Sequence, residues 1–421
     1  MRARSLPILI SCTLAVVAVL LWLRPPPAPP APPPPVPRTP PPSGLASVPD
    51  WLEINKYQST ISRSAFLRLM DGVFTVSPAW RDFFTVEDDS VTITTNPGES
   101  FRLHFAPEGL ETPPPRFWRS PEQLGPAPAD KPLTGLQIAI DPGHIGGSWG
   151  KMEERWFQIA GATQVQEGDM TLAVAQLLKP KLEALGATVT LVRDKTEPVT
   201  DIRPENLREE AQHNTGEGTL SQRAQRLFYR TAEIRARARL VNEDIKPDIV
   251  LCLHFNADAW GDPNAPTLVP ADHFHMILNG AYTDEEVSHP DERHDMLLKL
   301  LQGTHDEEAA LATSAAAAFV ERTAMPPYLY LPGSGRARNI NDNPYLWARN
   351  LLANRVYRCP VAYYEPYVMN STEDHARIQA GDYEGLREVA GKQHPSIFRE
   401  YADCVALGLE RYYRGHRPPQ R

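Results

Sequence analysis

The stretch Asp248-Ile249-Val250-Leu251-Cys252-Leu253-His254 decides the fold. Five consecutive apolar residues between two polar ones are too short for a helix and lack the alternation of a strand with one wet face. Such a run is the pattern of a parallel strand buried on both sides. Further strands are read at Leu136–Asp141, Ala187–Arg193, His273–Leu278 and Val361–Glu365. Helices fall between and after them. Asp169–Leu185 carries an apolar stripe (Leu172, Val174, Leu177, Leu178, Leu182, Leu185) that stops at Gly186, Ser221–Asn242 is long and rich in Arg and Ala, and Ser396–Tyr413 closes the chain. The alternation predicts an α/β domain over 134–415, a mostly parallel twisted sheet with helices on both faces in three layers.

Upstream, Arg2 and Arg4 precede an apolar run from Leu6 to Trp22. Charge followed by apolar sequence predicts export, with residues 1–24 kept as a signal anchor in the membrane. A lipoprotein cleavage site at Leu9-Ile10-Ser11-Cys12 and a buried core helix are the competing readings. Residues 25–42 hold thirteen prolines, so 25–45 is expected as a linker extended in polyproline II, at about 3.1 Å per residue. Residues 46–110 read as a small accessory module of unknown function, with a helix at Ser59–Met70 and a hairpin at Ser90–Thr95 and Ser100–Phe105. A second Pro-rich linker, 111–133, follows.

The net charge of −9 excludes an extended nucleic-acid surface, which needs clustered Lys and Arg. Four cysteines, Cys12, Cys252, Cys359 and Cys404, are too scattered for a disulfide framework. If the strands holding Cys252 and Cys359 are neighbours aligned at His254 and Glu365, the two are offset by four residues, about 13 Å at strand rise. That is beyond disulfide reach, and both are expected as buried thiols.

In open α/β sheets ligands bind beyond the carboxyl ends of the strands. His144 follows the first strand in Asp141-Pro142-Gly143-His144-Ile145-Gly146-Gly147; His254 and Glu365 end two others, and Glu167 stands just before a helix. Each has a bland reading on its own, as a satisfied polar residue, a helix-terminal acid or a solvated side chain. Together they match a catalytic zinc set of two imidazoles and one carboxylate, plus a second carboxylate to move protons. Glu153 and Glu154, inside the interval 167 − 144 = 23 residues, compete with Glu167 as ligand.

Those motifs, with Glu167-Gly168-Asp169-Met170-Thr171-Leu172, Leu253-His254-Phe255-Asn256-Ala257 and Pro360-Val361-Ala362-Tyr363-Tyr364-Glu365, resemble the zinc-dependent N-acetylmuramoyl-L-alanine amidases, bacterial cell-wall hydrolases, over about residues 134–413. The resemblance implies one zinc per chain held by His144, Glu167 and His254, with Glu365 as catalytic acid/base and Arg355 as a substrate-binding residue. It implies hydrolysis of the amide between N-acetylmuramic acid and L-alanine in peptidoglycan, outside the cytoplasmic membrane, with any protein activator unidentified. A zinc peptidase acting on stem peptides and a non-catalytic wall-binding protein of the same fold are the alternatives. Two departures stand out: the long interval before Glu167, and Pro366-Tyr367-Val368-Met369-Asn370 where the family usually has Gly-Phe. Residues 261–305 look like an insertion, carrying His273, His275, His289, His294 and His305 and the acids Asp284, Glu285, Glu286, Asp291 and Glu292. Its acids suggest a gate over the metal. Its histidines read as solvated side chains, with His273 and His275 as an alternative second metal site.

Overall fold

A strand apolar on both faces needs cover on both sides, and Ile249–Leu253 has it, with all five residues buried. The computed structural model describes residues 40, 42–159, 161–214, 216–331, 333 and 335–419. The strands of its two larger sheets are β1 Phe84–Val86, β2 Ser90–Thr94, β3 Ser100–His104, β4 Gln137–Pro142, β5 Thr188–Leu191, β6 Ile249–Leu253, β7 Phe274–Leu278, β8 Arg338–Asn339, β9 Leu346–Ala348 and β10 Val361–Pro366. The central sheet runs β8-β9-β7-β10-β6-β4-β5. Its pairs are parallel except β7–β10 and β8–β9. This is the expected mostly parallel α/β sheet, with β7 and β9 running against the other strands.

Helices α1 Glu167–Ala184, α2 Leu220–Leu227, α3 Glu233–Arg239, α4 Pro290–Gln302, α5 Thr304–Thr323 and α6 Ile397–His416 surround it. One face is sealed by α1, α5 and α6, where Phe319 stacks on Phe274 with centroids 4.3 Å apart. The other is covered by α3 and the π turn Leu240–Ile245, through Ala238 and Val241 against Val250, Cys252 and Val361. A π turn, Phe228–Ala232, joins α2 to α3. Register pairs Cys252 with Tyr363, so Cys359 lies four residues away along β10, and both thiols are buried and free.

The anchor expected at 1–24 lies outside the described residues, as does most of the 25–45 linker. Among the described residues no helix is long and apolar enough to cross a membrane. Residues 46–110 form the three-stranded sheet β1-β2-β3, whose core side chains join the main hydrophobic cluster. The guanidinium of Arg293, fully buried on α4, fastens this sheet by donating to Thr94 O at 3.0 Å and Val287 O at 2.6 Å. Backbone bonds from Ala281 to Val73 and from Tyr282 to Phe74 add to the seam.

The reading of 261–305 as an insertion needs correction. The stretch supplies β7, inside the sheet, and α4, nearly all of whose side chains are buried. Its acids are engaged elsewhere than in a gate. Asp291 accepts from Ser43 N at 2.7 Å, Glu292 from Asn350 at 2.8 Å, Glu286 from Thr283 N at 2.8 Å, and Asp284 from the Ser77 hydroxyl; Glu285 is exposed.

The approach to β10 depends on a buried ion pair. Lys299 Nζ donates to Glu308 Oε1 at 2.7 Å and to Cys359 O at 2.8 Å, and the same Glu308 oxygen accepts from Val361 N at 3.1 Å. Removing one partner of such a pair strands a charge out of water. Lys299→Met should therefore lower stability by about 3–5 kcal/mol, read from denaturant midpoints, with partial recovery on adding Glu308→Gln. A single variant within about 1 kcal/mol of wild type, the scale of a surface pair, would show that the pair does not hold β10.

Candidate active site

The site is built at the carboxyl ends of β4, β6 and β10. After β4 the chain turns sharply, and His144 sits there with φ +59°, a conformation a non-glycine residue holds only when its surroundings over-determine it. Several buried bonds do so. Arg237 of α3 donates to Pro142 O and His144 O, each at 2.8 Å, and to Asp141 Oδ1 at 2.8 Å. Glu153 accepts from Ile145 N at 2.9 Å and Gly146 N at 3.0 Å. Gly143 has no substitute, because a Cβ there would lie 2.3 Å from the His254 ring. Gly168 is equally constrained: its Cβ would meet Gly146 N at 2.3 Å, which is how the start of α1 comes against this turn.

That contact brings Glu167, the first residue of α1, between the two histidines. His144 Nε2 is 3.2 Å from Glu167 Oε2, and His254 Nδ1 is 3.0 Å from Glu167 Oε1. Phe255 N donates to the same carboxylate at 3.2 Å. The His254 ring stacks on Tyr363, with centroids 4.6 Å apart and planes 10° off parallel. Ligand atoms of His144, Glu167 and His254 all lie within 4.8 Å of one another, the one such group of three among the described residues. Metal–ligand distances of about 2.0–2.1 Å in a tetrahedron put ligand atoms about 3.3 Å apart. The His144–Glu167 spacing fits that, so a zinc-sized ion suits the three.

Glu153 and Glu154, the competing ligands, are placed elsewhere. Glu153 lies 3.6 Å from His144 Nδ1, on the ring's other nitrogen, where an outer carboxylate orients a metal-binding imidazole. Glu154 is exposed and meets Arg230 at 3.4 Å.

Glu365 shares a cleft of about 760 Å³ with the trio, along with Arg155, Tyr363, Arg349 and Trp260. Desolvation first, and then the nearby Glu167 charge, push its carboxyl up to about 8. For His144, burial works against the proton, but the Glu167 charge and the Glu153 contact outweigh it and raise the imidazole to about 9. Burial holds His254 below its ordinary value. Glu167 would be raised by burial, yet the His144 charge and its bonds to both imidazoles hold it well below the carboxylate range.

Arg355 does not reach this cleft. It is buried against Glu292, with Asp295 3.5 Å away. The cleft's arginines are Arg349, Arg155, Arg230 and Arg237, with Arg155 3.6 Å from Glu167 Oε2. His273 and His275 share a face of β7, as the alternation implies, but neither is solvated. Both are buried, Asn256 Nδ2 lies 3.4 Å and 3.5 Å from their Nδ1 atoms, and desolvation takes His275 down to about 3. His294 and His305 are also buried.

The sequence profile of a family described as N-acetylmuramoyl-L-alanine amidase matches residues 138–389. Among solved structures, the apo N-acetylmuramyl-L-alanine amidase Ami1 from Mycobacterium abscessus is similar at 15% identity and a TM-score of 0.38, over 66% of this chain and 99% of that one. The CwlD amidase from Clostridioides difficile, solved with the GerS lipoprotein, is similar at 11% identity and a TM-score of 0.38, over 66% and 98%. No curated protein sequence matches.

A metal ligand must be a neutral imidazole, whereas metal-free His144 keeps its proton up to about pH 9. Ion binding must expel that proton. Titrating Zn²⁺ into metal-free protein at pH 7 should release at least one proton per ion, and affinity should rise about tenfold or more per pH unit from 6 to 8 before flattening near 9. Calorimetry in buffers of different ionisation enthalpy measures both quantities. Affinity independent of pH over that window would mean His144 is not a ligand.

Proposed function

This chain belongs to the N-acetylmuramoyl-L-alanine amidase family, and from that premise we propose that it is a zinc hydrolase cutting the amide between N-acetylmuramic acid and L-alanine in peptidoglycan. The observation that carries the reading is a second carboxyl, Glu365, in the same cleft as a His/Glu/His trio of zinc-like spacing. Zinc held by His144, Glu167 and His254, one ion per chain, would supply Lewis acidity toward the scissile carbonyl and toward water.

Everything else falls to the protein. Tyr363 fixes the plane of the His254 ring, and Glu153 fixes that of His144. Glu365 is the only one of the four candidate residues outside the trio, and so the one free to handle protons. An amide nitrogen is a poor leaving group until protonated. Glu365 takes a proton from the attacking water and passes it to that nitrogen. A wall-binding protein without catalysis has no use for this fourth group. Peptidoglycan lies outside the cytoplasm, so the apolar run after Arg2 and Arg4 acts as the tether and the proline-rich segment as its spacer.

Glu365→Gln keeps the side chain's size and removes its ability to accept a proton. Its zinc content, by elemental analysis, should match wild type, and turnover on purified muropeptides should fall by at least about two orders of magnitude. Near-normal turnover with zinc bound would move the acid/base role to another residue. Zinc lost along with activity would make Glu365 a ligand.

A further inference from the structure

The buried arginines spend their donors within the protein: Arg237, Arg355 and Arg377 on Asp141, Glu292 and Glu400, and Arg193 and Arg293 on backbone carbonyls. Arg349, half-buried in the cleft wall, is different. Among the described residues it forms no ion pair, and its guanidinium donates one long hydrogen bond, 3.5 Å to the Tyr330 hydroxyl. A guanidinium carries five donors in a fixed fork, so nearly all of this one's capacity faces the cleft.

Its position is built. Arg349 N donates to Leu278 O at 2.9 Å, extending the β9–β7 pairing by one residue. The Tyr330 hydroxyl that receives the guanidinium is also 3.2 Å from His275 Nε2. The Tyr330 ring packs on Trp347 at 5.1 Å and on Tyr328 at 5.0 Å, and Tyr328 stacks on His275 at 4.9 Å. His275 is the cross-strand partner of Glu365. An aromatic and imidazole wall thus runs from the candidate acid/base to an unpaired cation. Two strand spacings, about 10 Å, separate β10 from β9, and register sets Arg349 four residues, about 13 Å, along from the Glu365 row, so its long side chain, reaching back to Tyr330, leaves a span of a few extended residues.

We propose that Arg349 is the residue that selects the peptide, its guanidinium taking a free carboxylate carried within about three residues of the cleaved amide. This rests on the amidase reading. A stem peptide offers such carboxylates, and the neutral sugar hydroxyls and acetamido groups on the other side of the bond do not. Tyr330 is a positioning residue, aiming the fork.

The test crosses enzyme and substrate: wild type, Arg349→Met and Arg349→Lys, each folded by circular dichroism, on N-acetylmuramoyl peptides whose stem carboxylates are free or amidated. Wild type should prefer the free carboxylate by about ten- to hundredfold in kcat/KM, mostly through KM. Arg349→Met should lose that preference, while Arg349→Lys should keep part of it. Equal cleavage of both peptides by wild type overturns the proposal, as does a preference that survives in Arg349→Met. A guanidinium that serves only to balance the Glu365 charge would lower turnover on both peptides alike, and that result also overturns it. Binding of the same peptides to Glu365→Gln protein, by calorimetry, separates the two readings. A carboxylate-dependent affinity abolished by Arg349→Met upholds the peptide seat even if wild type cleaves neither peptide, a result that would sink the amidase reading alone.

Discussion

The site depends on one buried guanidinium. Arg237 holds Asp141 and Glu233 by ion pairs of 2.8 Å each and spends its remaining donors on Pro142 O and His144 O. A lone arginine in that position would be prohibitively costly; two carboxylates and two carbonyls make it a bolt. What it bolts is the turn after β4, where His144 occupies a left-handed conformation. Arg193, 2.8 Å from Gly168 O, ties the start of α1 to the same turn. The angle between His144 and Glu167 is thus fixed by charges that reach His144 and the start of α1 through backbone carbonyls.

The charges inside the cleft are strongly coupled. Glu167 and Glu153 are held ionised beside His144, which answers by keeping its proton. Glu365, desolvated and facing the same negative group, is pushed up to about 8. A divalent ion bound among the trio would relieve both strains together, displacing the His144 proton and stabilising an ionised Glu365. In the proposed reaction that sets Glu365 as a base before the nitrogen needs an acid. The same field explains why Arg155 and Arg349 are tolerated along the walls.

Much of this was legible in the sequence because local pattern and chemistry coincide there. The run Ile249–Leu253 is apolar on both faces, and the four candidate residues sit at element ends where strands of one direction deliver them. What was illegible depends on partners distant in the chain. Glu153 reads as one of two interchangeable rivals, with Glu154, for the place of Glu167, and only the fold buries it against the backbone of Ile145 and Gly146. Arg355 and Arg349 look interchangeable in sequence, six residues apart near one motif; α4 supplies Glu292 to the first and nothing to the second. The His273–Leu278 strand could be read, but not its place in the middle of the sheet, so its flanks resembled an excursion.

The reversed strands β7 and β9 account for the shape of the cleft. In an all-parallel sheet every strand would contribute its carboxyl end, and the site would be a row along one edge. Because β7 runs against β10, it offers its beginning there: Glu365 faces His275, while Leu278 lies at the opposite end. The parallel strand β9 follows β7 and ends opposite Leu278, so Arg349 leaves the sheet at the far end and must reach back across its face to meet Tyr330. One antiparallel pairing therefore turns a point-like metal site at an edge into a groove lying over the sheet. A polymer bound at such a site needs room beside the cleaved bond, and a groove provides it.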